Sequence, residues 1–442
     1  MIRTPILPRL IALVTTFSLI AAAPVQAATT LLRDADIEYA LRQLAAPILS
    51  AAGLSPQQVD IIVIDDGSLN AFVTDTQHIF LHSGLIMKLD SAEALQAVIA
   101  HEAAHISNGH ITRRMGNLRA ARTAAGIGMA LAAAAAAAGA NSQAAAGVAL
   151  GAQGSAMRLF FSHTRAEESA ADISSVRFMV RAGIDPRGAL EVQKLFRGQE
   201  ALSVGRQDPY MRTHPLTRDR LRALEGLVAG TKSTERNATA QYWFKRAQGK
   251  LTAFKRAPSW TLRRLKDSGS QDIAYMREAV AYHRQSNLKK SLGAIDRALA
   301  LRPTDPYLME LKGQILLESR QFNAAVQVYQ AAANRAPREP LILGGLGRAL
   351  LAAGQPKQAL RALETARGRD FTDARLLRDL AVAYAKTGQN GMASVSTAER
   401  YALQGRMKDA KLHAERAIAT LPRGSAPWQR AQDVLDAAKR AK

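Results

Sequence analysis

The sequence of 442 residues contains no cysteine. That absence excludes disulfides, a cysteine nucleophile and a lipid-anchored N-terminus, so an exported form of the chain must be held by packing alone. Acidic residues are also scarce, with 37 Asp and Glu against 59 Lys and Arg and a net charge of +22. The basic residues are spread through the C-terminal half rather than clustered with aromatics. They read as a solvated face with a bias toward anionic membrane surfaces or acidic clients, and no nucleic acid is expected as a partner. No Gly-x-Ser-x-Gly elbow occurs, and Gly344-Gly345-Leu346-Gly347 has no phosphate-loop lysine, so serine-hydrolase and P-loop readings are weak.

Long apolar runs are missing as well. Leu10 to Ala23 is an apolar stretch of 14 residues between Arg3, Arg9 and the small-residue site Val25-Gln26-Ala27. It falls short of the roughly 20 residues that span a bilayer, which favours a cleavable signal peptide over residues 1–27 and a periplasmic mature chain. Loss of the two arginines takes the net charge from +22 to +20. Residues 123–157 are uncharged and rich in Ala and Gly, divided by Gly139-Ala140-Asn141-Ser142. They predict a helical hairpin with arms short for a membrane span, which leaves peripheral membrane contact open.

What is present divides the chain. Residues from about 31 to 57 predict a helix, and Asp60–Asp65 and Ile79–His82 predict strands, with Asn70-Ala71-Phe72-Val73 between them. The expected architecture is α+β and mostly helical. A catalytic domain at 28–230 with a small sheet precedes a Lys/Arg/Thr/Ser-rich linker at 231–265 and an all-α repeat domain at 266–442. The repeat has a period of 34 residues: Ala279, Gly313 and Gly347 share one position, Ser291, Ala325 and Ala359 another, and Ala298, Ala332 and Ala366 a third. Small residues at fixed points let two antiparallel helices touch, and Pro303 and Pro337 close units, as in tetratricopeptide repeats. Residues 374–390 break the register before a last unit with Ala398, Tyr401, Ala410, Ala414, Ala417 and Pro422.

The most informative segment is His101-Glu102-Ala103-Ala104-His105. On a helix begun at Asp90 or Ser91, two histidines four apart project from one face and can reach one ion, with Glu102 placed to take a proton from water. Zinc needs a third protein ligand. In one large class it is a histidine six residues on, after a glycine at plus three. Ile111 and Asn108 occupy those places here. His110, displaced by one, would point away on a continued helix and is expected to be exposed or packing. Glu168 is the better candidate. It stands four residues before Asp172, so a second helix could offer Glu168 to the metal and Asp172 to a ligating imidazole, whereas Glu167 suits a solvent-facing acid.

These segments resemble the M48 family of zinc metallopeptidases, in the exported bacterial branch that carries C-terminal tetratricopeptide repeats. The resemblance rests on Asn70-Ala71-Phe72, Phe80-Leu81-His82-Ser83-Gly84-Leu85-Ile86, the His101–His105 motif, Thr164-Arg165 through Glu168 and Asp172, Ala182-Gly183-Ile184-Asp185-Pro186, and Thr213-His214-Pro215-Leu216 with Arg220. It implies a zincin-like fold and one zinc ion per chain held by His101, His105 and Glu168. Glu102 would be the general base and Asp172 a partner behind the ligands. His214 would either stabilise the substrate oxyanion or occupy the open zinc position at rest. Ala170 stands where many relatives carry a second acid. The resemblance also implies proteolysis of misfolded or stalled outer-membrane proteins, contact with their assembly machinery, and chaperoning of other clients. A substrate is expected to lie along an edge strand near Phe80 to Ser83. The alternative is a repeat scaffold or chaperone whose metal site is dormant or regulated.

Overall fold

The computed structural model describes residues 31–113, 116, 165–199, 202 and 206–441. The expected signal peptide and the Ala/Gly-rich hairpin at 123–157 lie outside these residues. Among the described residues no helix is long and apolar enough to cross a membrane.

Helix α1 (Ala35–Ala51) starts where Asp34 accepts from the amides of Asp36 and Ile37, with Asp36 and Glu38 in its first turn, the charge that a helix N-terminus favours. One short strand precedes α1 and three follow: β1 (Leu31–Leu32), then β2 (Asp60–Ile64), β3 (Ala71–Val73) and β4 (His78–His82), ordered β1-β2-β4-β3 in the sheet. β4 runs parallel to β2, from Asp60 opposite His78 to Ile64 opposite His82, and antiparallel to β3, with Phe72 opposite Phe80. The expectation of an edge strand near Phe80 is therefore corrected. β4 is paired on both sides, and the edges are β1 and β3. Strand order is a non-local property that the apolar pattern of a single strand does not encode.

Beyond α2 (Ser83–Lys88), helix α3 (Ala92–Ser107) is capped by Ser91, whose Oγ accepts from Ala94 N at 3.0 Å. Its residues from Ala92 to Ile106 are all buried. Helices α4 (Arg165–Arg181) and α5 (Arg187–Phe196) pack on α3, followed by α6 (Pro209–Thr213) and α7 (Arg218–Ala229). One core runs through α1, the sheet and α3, and on to Leu224 and Val228 of α7.

The segment 231–265, taken as a linker from its composition, is largely α8 (Ala238–Lys255) and α9 (Pro258–Arg263). It connects the two parts as a packed element rather than a loose spacer, and two of its basic residues, Arg246 and Lys250, are buried in ion pairs. Arg246 Nε lies 2.6 Å from Asp36 and its guanidinium also binds Asp305, while Lys250 Nζ lies 2.9 Å from Asp34. Arg33 to Asp370 at 2.7 Å and Arg42 to Glu339 at 2.9 Å add further ties to the repeats.

The repeats form the pairs α10 (Gln271–Arg284) with α11 (Leu288–Leu301), α12 (Pro306–Glu318) with α13 (Phe322–Arg335), and α14 (Pro340–Ala352) with α15 (Pro356–Arg367). Helix α16 (Ala374–Lys386) covers the segment where the sequence register breaks. α17 (Asn390–Leu403) and α18 (Met407–Thr420) then pair, with Ala398, Ala410, Ala414 and Ala417 buried, before α19 (Ala426–Arg440). α16 packs against α17 as the helices within the other pairs do. The two begin at 374 and 390, 34 residues after α14 at 340 and α15 at 356, so the helical period continues through the segment where the residue register breaks.

Candidate metal centre

Successive turns of α3 carry His101 and His105 on one face, and their Nε2 atoms stand 3.2 Å apart. α4 crosses that face and delivers Glu168, whose Oε2 is 3.4 Å from His101 Nε2 and whose Oε1 is 3.4 Å from His105 Nε2. Ligands about 2.0–2.1 Å from a tetrahedral zinc sit about 3.3–3.4 Å from one another, so the three separations fit that ion. His214, at the end of α6, completes a buried group with one candidate ligand atom from each of His101, His105, Glu168 and His214, all within 4.8 Å of one another. The first three are the predicted ligands. His214, expected either to cap the ion or to stabilise the oxyanion, lies in the same buried group.

Glu102 is fully buried, and its Oε1 lies 3.4 Å from His214 Nε2. The other nitrogen of His214 lies 3.1 Å from Glu168 Oε1, so one imidazole touches both acids. The backbone N–H of His214 bonds Tyr210 O at 2.8 Å and its ring sits 4.7 Å from the Tyr210 ring, which stacks on Phe196. The segment before Pro215 is thus a five-residue helix followed by a buried histidine.

Asp172 lies on the far side of His101, with Oδ1 3.2 Å from His101 Nδ1. Arg220 does more than mark a motif. Its Nε and Nη2 each approach Asp172 at 2.9 Å, its Nη1 lies 2.9 Å from Glu168 Oε2, and it donates to Pro215 O at 2.7 Å. One guanidinium therefore fixes two acids and the chain just after His214, using the planar fork that a lysine lacks. Its position 48 residues from Asp172 hides this role from spacing. His110, expected to point away and to be exposed or packing, is instead turned toward the centre: it is buried, and its Nδ1 lies 3.0 Å from His105 Nδ1.

The electrostatics match a site built for charge. Burial would depress His101, but its hydrogen bonds to the carboxylates of Asp172 and Glu168 override it and push its pKa up to about 10. Burial opposes ionisation of Glu168 too, yet His214 and His101 hold it well below the usual carboxylate range. Asp172 is likewise lowered against its burial by His101 and Arg220. Burial and the neighbouring His101 charge keep His105 well below an ordinary histidine. Such opposed shifts within one cluster mark functional sites.

Residues 32–228 match Peptidase family M48, and residues 316–378 match a tetratricopeptide-repeat family. The chain carries an M48 peptidase domain followed by tetratricopeptide repeats. It is a zinc metalloendopeptidase. The beta-barrel assembly-enhancing protease of Escherichia coli is 22% identical over 389 residues, covering 86% of this chain and 78% of that protein. A putative beta-barrel assembly-enhancing protease of Vibrio cholerae is 29% identical over 161 residues, 36% of this chain and 32% of that one. A mitochondrial metalloendopeptidase of Schizosaccharomyces pombe is 26% identical over 182 residues, 40% of this chain and 49% of that protein. The E. coli alignment runs well past the M48 domain into the repeats, whereas the yeast alignment is about as long as the M48 domain itself.

Proposed function

We propose that the protein is a periplasmic zinc endopeptidase that cleaves misfolded or stalled outer-membrane β-barrel proteins, with its repeats recruiting clients and contacting the assembly machinery. The observation that carries the reading is the convergence of His101 and His105, 3.2 Å apart at Nε2, on the two carboxylate oxygens of Glu168 at 3.4 Å each, with a further carboxylate, Glu102, on the same helix as the histidines. Bound at His101, His105 and Glu168, zinc supplies Lewis-acid polarisation of the scissile carbonyl. Glu102 takes the proton of the attacking water and returns it to the leaving amine. Asp172 and Arg220 hold His101 and Glu168 in place while this happens.

The substrate would add to the outer edge of β3. His82 N bonds Asn70 O at 2.9 Å, which makes Asn70–His82 and, two residues on, Phe72–Phe80 the mutually bonded pairs. The backbone groups of Ala71 and Val73 then face outward, and no described strand pairs that edge. An extended peptide docked there gains main-chain hydrogen bonds without regard to sequence, which suits a protease for unfolded chains. The relatives' names support the β-barrel clients. The boundaries 28–230, 231–265 and 266–442 and export by residues 1–27 belong to the same proposal, and the charge excess supports peripheral contact with anionic membrane surfaces.

Burial of Glu102 and His214 favours a second reading, a chaperone or scaffold whose metal site is held shut. Zinc analysis of the full chain, with cleavage assays on casein and an unfolded β-barrel protein, separates the two. One zinc per chain with cleavage supports the protease, and zinc with persistent lack of cleavage supports the scaffold.

A further inference from the structure

The two ligand histidines of α3 are backed by different chemistry. His101 turns its Nδ1 to the carboxylate of Asp172 at 3.2 Å. His105 turns its Nδ1 to another imidazole, the Nδ1 of His110 at 3.0 Å, with the rings inclined at 68°. Both partners are buried.

His110 reaches this place because α3 stops short of it. Asn108 N bonds Ala104 O at 2.9 Å, Gly109 N bonds Ile106 O at 3.0 Å, and Gly109 takes φ +71°, which closes the helix in the left-handed region that glycine enters freely. The chain then starts a new turn, with Arg113 N on Gly109 O at 3.0 Å, and His110 swings back under His105. On an unbroken helix the two side chains would diverge by about 140°.

We propose that His110 is a positioning residue for the metal ligand His105: its Nδ1 accepts the Nδ1–H of His105 and so aims the Nε2 of His105 into the centre. The tautomers follow from the geometry. A neutral His105 that gives Nε2 to a metal carries its proton on Nδ1. The Nδ1 of His110 must then be the acceptor, and the proton of His110 sits on Nε2. An imidazole is a neutral acceptor, so it fixes the ring of His105 without adding another negative charge to a centre that already holds Glu102, Glu168 and Asp172.

The inference rests on the metal-centre reading above, and the test keeps the two apart. Zinc affinity is measured by chelator competition on the full chain, for the wild type, His110→Phe and His110→Asn. Phenylalanine fills the volume but accepts nothing. Asparagine places its Oδ1 where His110 Nδ1 stands. The expected result is a loss of about 10- to 100-fold for His110→Phe, the range for losing the partner of a ligand, with His110→Asn within a few-fold of wild type. A wild-type affinity in His110→Phe overturns the proposal, as does a loss in His110→Asn equal to that in His110→Phe, since shape would then be the cause. Absence of zinc from the wild type would sink the metal-centre reading itself. If His110→Phe fails to fold, nitrogen NMR of the zinc-loaded wild type decides instead. A proton on His105 Nδ1 with scalar coupling to His110 Nδ1 supports the proposal, and an unprotonated His105 Nδ1 overturns it.

Discussion

Helix α3 of the M48 domain buries every side chain from Ala92 to Ile106, whereas α11 of the repeats buries only Ser291, Ala294, Ile295 and Ala298. The repeat helix has a wet face, so its polar residues need no partner. On α3 every polar group must be satisfied inside the protein. Gln96 donates to Leu44 O at 3.0 Å, and Glu93 accepts from Gln241 at 2.6 Å. Those two are structural. His101, Glu102 and His105 instead converge with Glu168 and His214 on one point. Burial of charge is costly unless paired, so concentration of so many ionisable groups on a fully buried helix marks chemistry, and an alanine-lined face in the repeats marks packing.

The largest expected effect that sharpens this contrast is at Glu168. Glu168→Ala should abolish proteolysis and lower zinc affinity by more than the about 10- to 100-fold that losing a partner behind a ligand costs. Titration with a zinc chelator alongside a cleavage assay checks it, and full zinc retention would place the third ligand elsewhere. His214→Ala comes next. If His214 caps the centre at rest, basal cleavage rises. If it stabilises the oxyanion, the rate falls on the order of 100- to 1,000-fold. Its contacts with both Glu102 and Glu168 favour the cap, and an unchanged rate would remove it from the site.

A smaller effect is set by pH. His101 holds its proton up to about pH 10 in the metal-free site, so zinc must displace that proton at neutral pH. Raising pH removes the competitor, and zinc affinity should climb about tenfold per pH unit until it levels near the His101 value. Calorimetry in buffers of different ionisation enthalpy counts the proton released, and a count of zero contradicts the charge arrangement. The smallest effect belongs to the repeats. A Cβ on Gly347 would stand 2.4 Å from Leu363 Cγ, so Gly347→Ala should cost about 1–3 kcal/mol by overpacking. Chemical denaturation reads that cost. Zinc content should not move, and a fall in it would break the separation between packing and chemistry.

Much of this was legible in the sequence, for physical reasons that also mark its limits. The i, i+4 spacing of His101 with His105 and of Glu168 with Asp172 is local, and helix geometry converts it directly into shared faces. The 34-residue period is local in the same sense. Sheet order is not, which is why β4 proved central and β3 an edge. His110 was misplaced because the helix was continued through Gly109, although a glycine just past a helical run is itself a stop signal. Arg246 and Lys250 resembled solvated charge because their partners Asp36, Asp34 and Asp305 lie far away in the chain. Composition cannot show a salt bridge that folding creates. The continuation of the solenoid through α16 and α17 was hidden for a similar reason, since helices can keep their 34-residue period while the small residues at their contacts change.

The central claim is that Glu102 handles protons while His101, His105 and Glu168 hold zinc. Comparison of wild type and Glu102→Gln at matched zinc occupancy, by metal analysis and initial cleavage rate on an unfolded protein substrate, tests it most directly. The account predicts zinc bound at wild-type stoichiometry with turnover reduced by about 100- to 10,000-fold, the share of a general acid–base group. Turnover close to wild type at full zinc occupancy would contradict it.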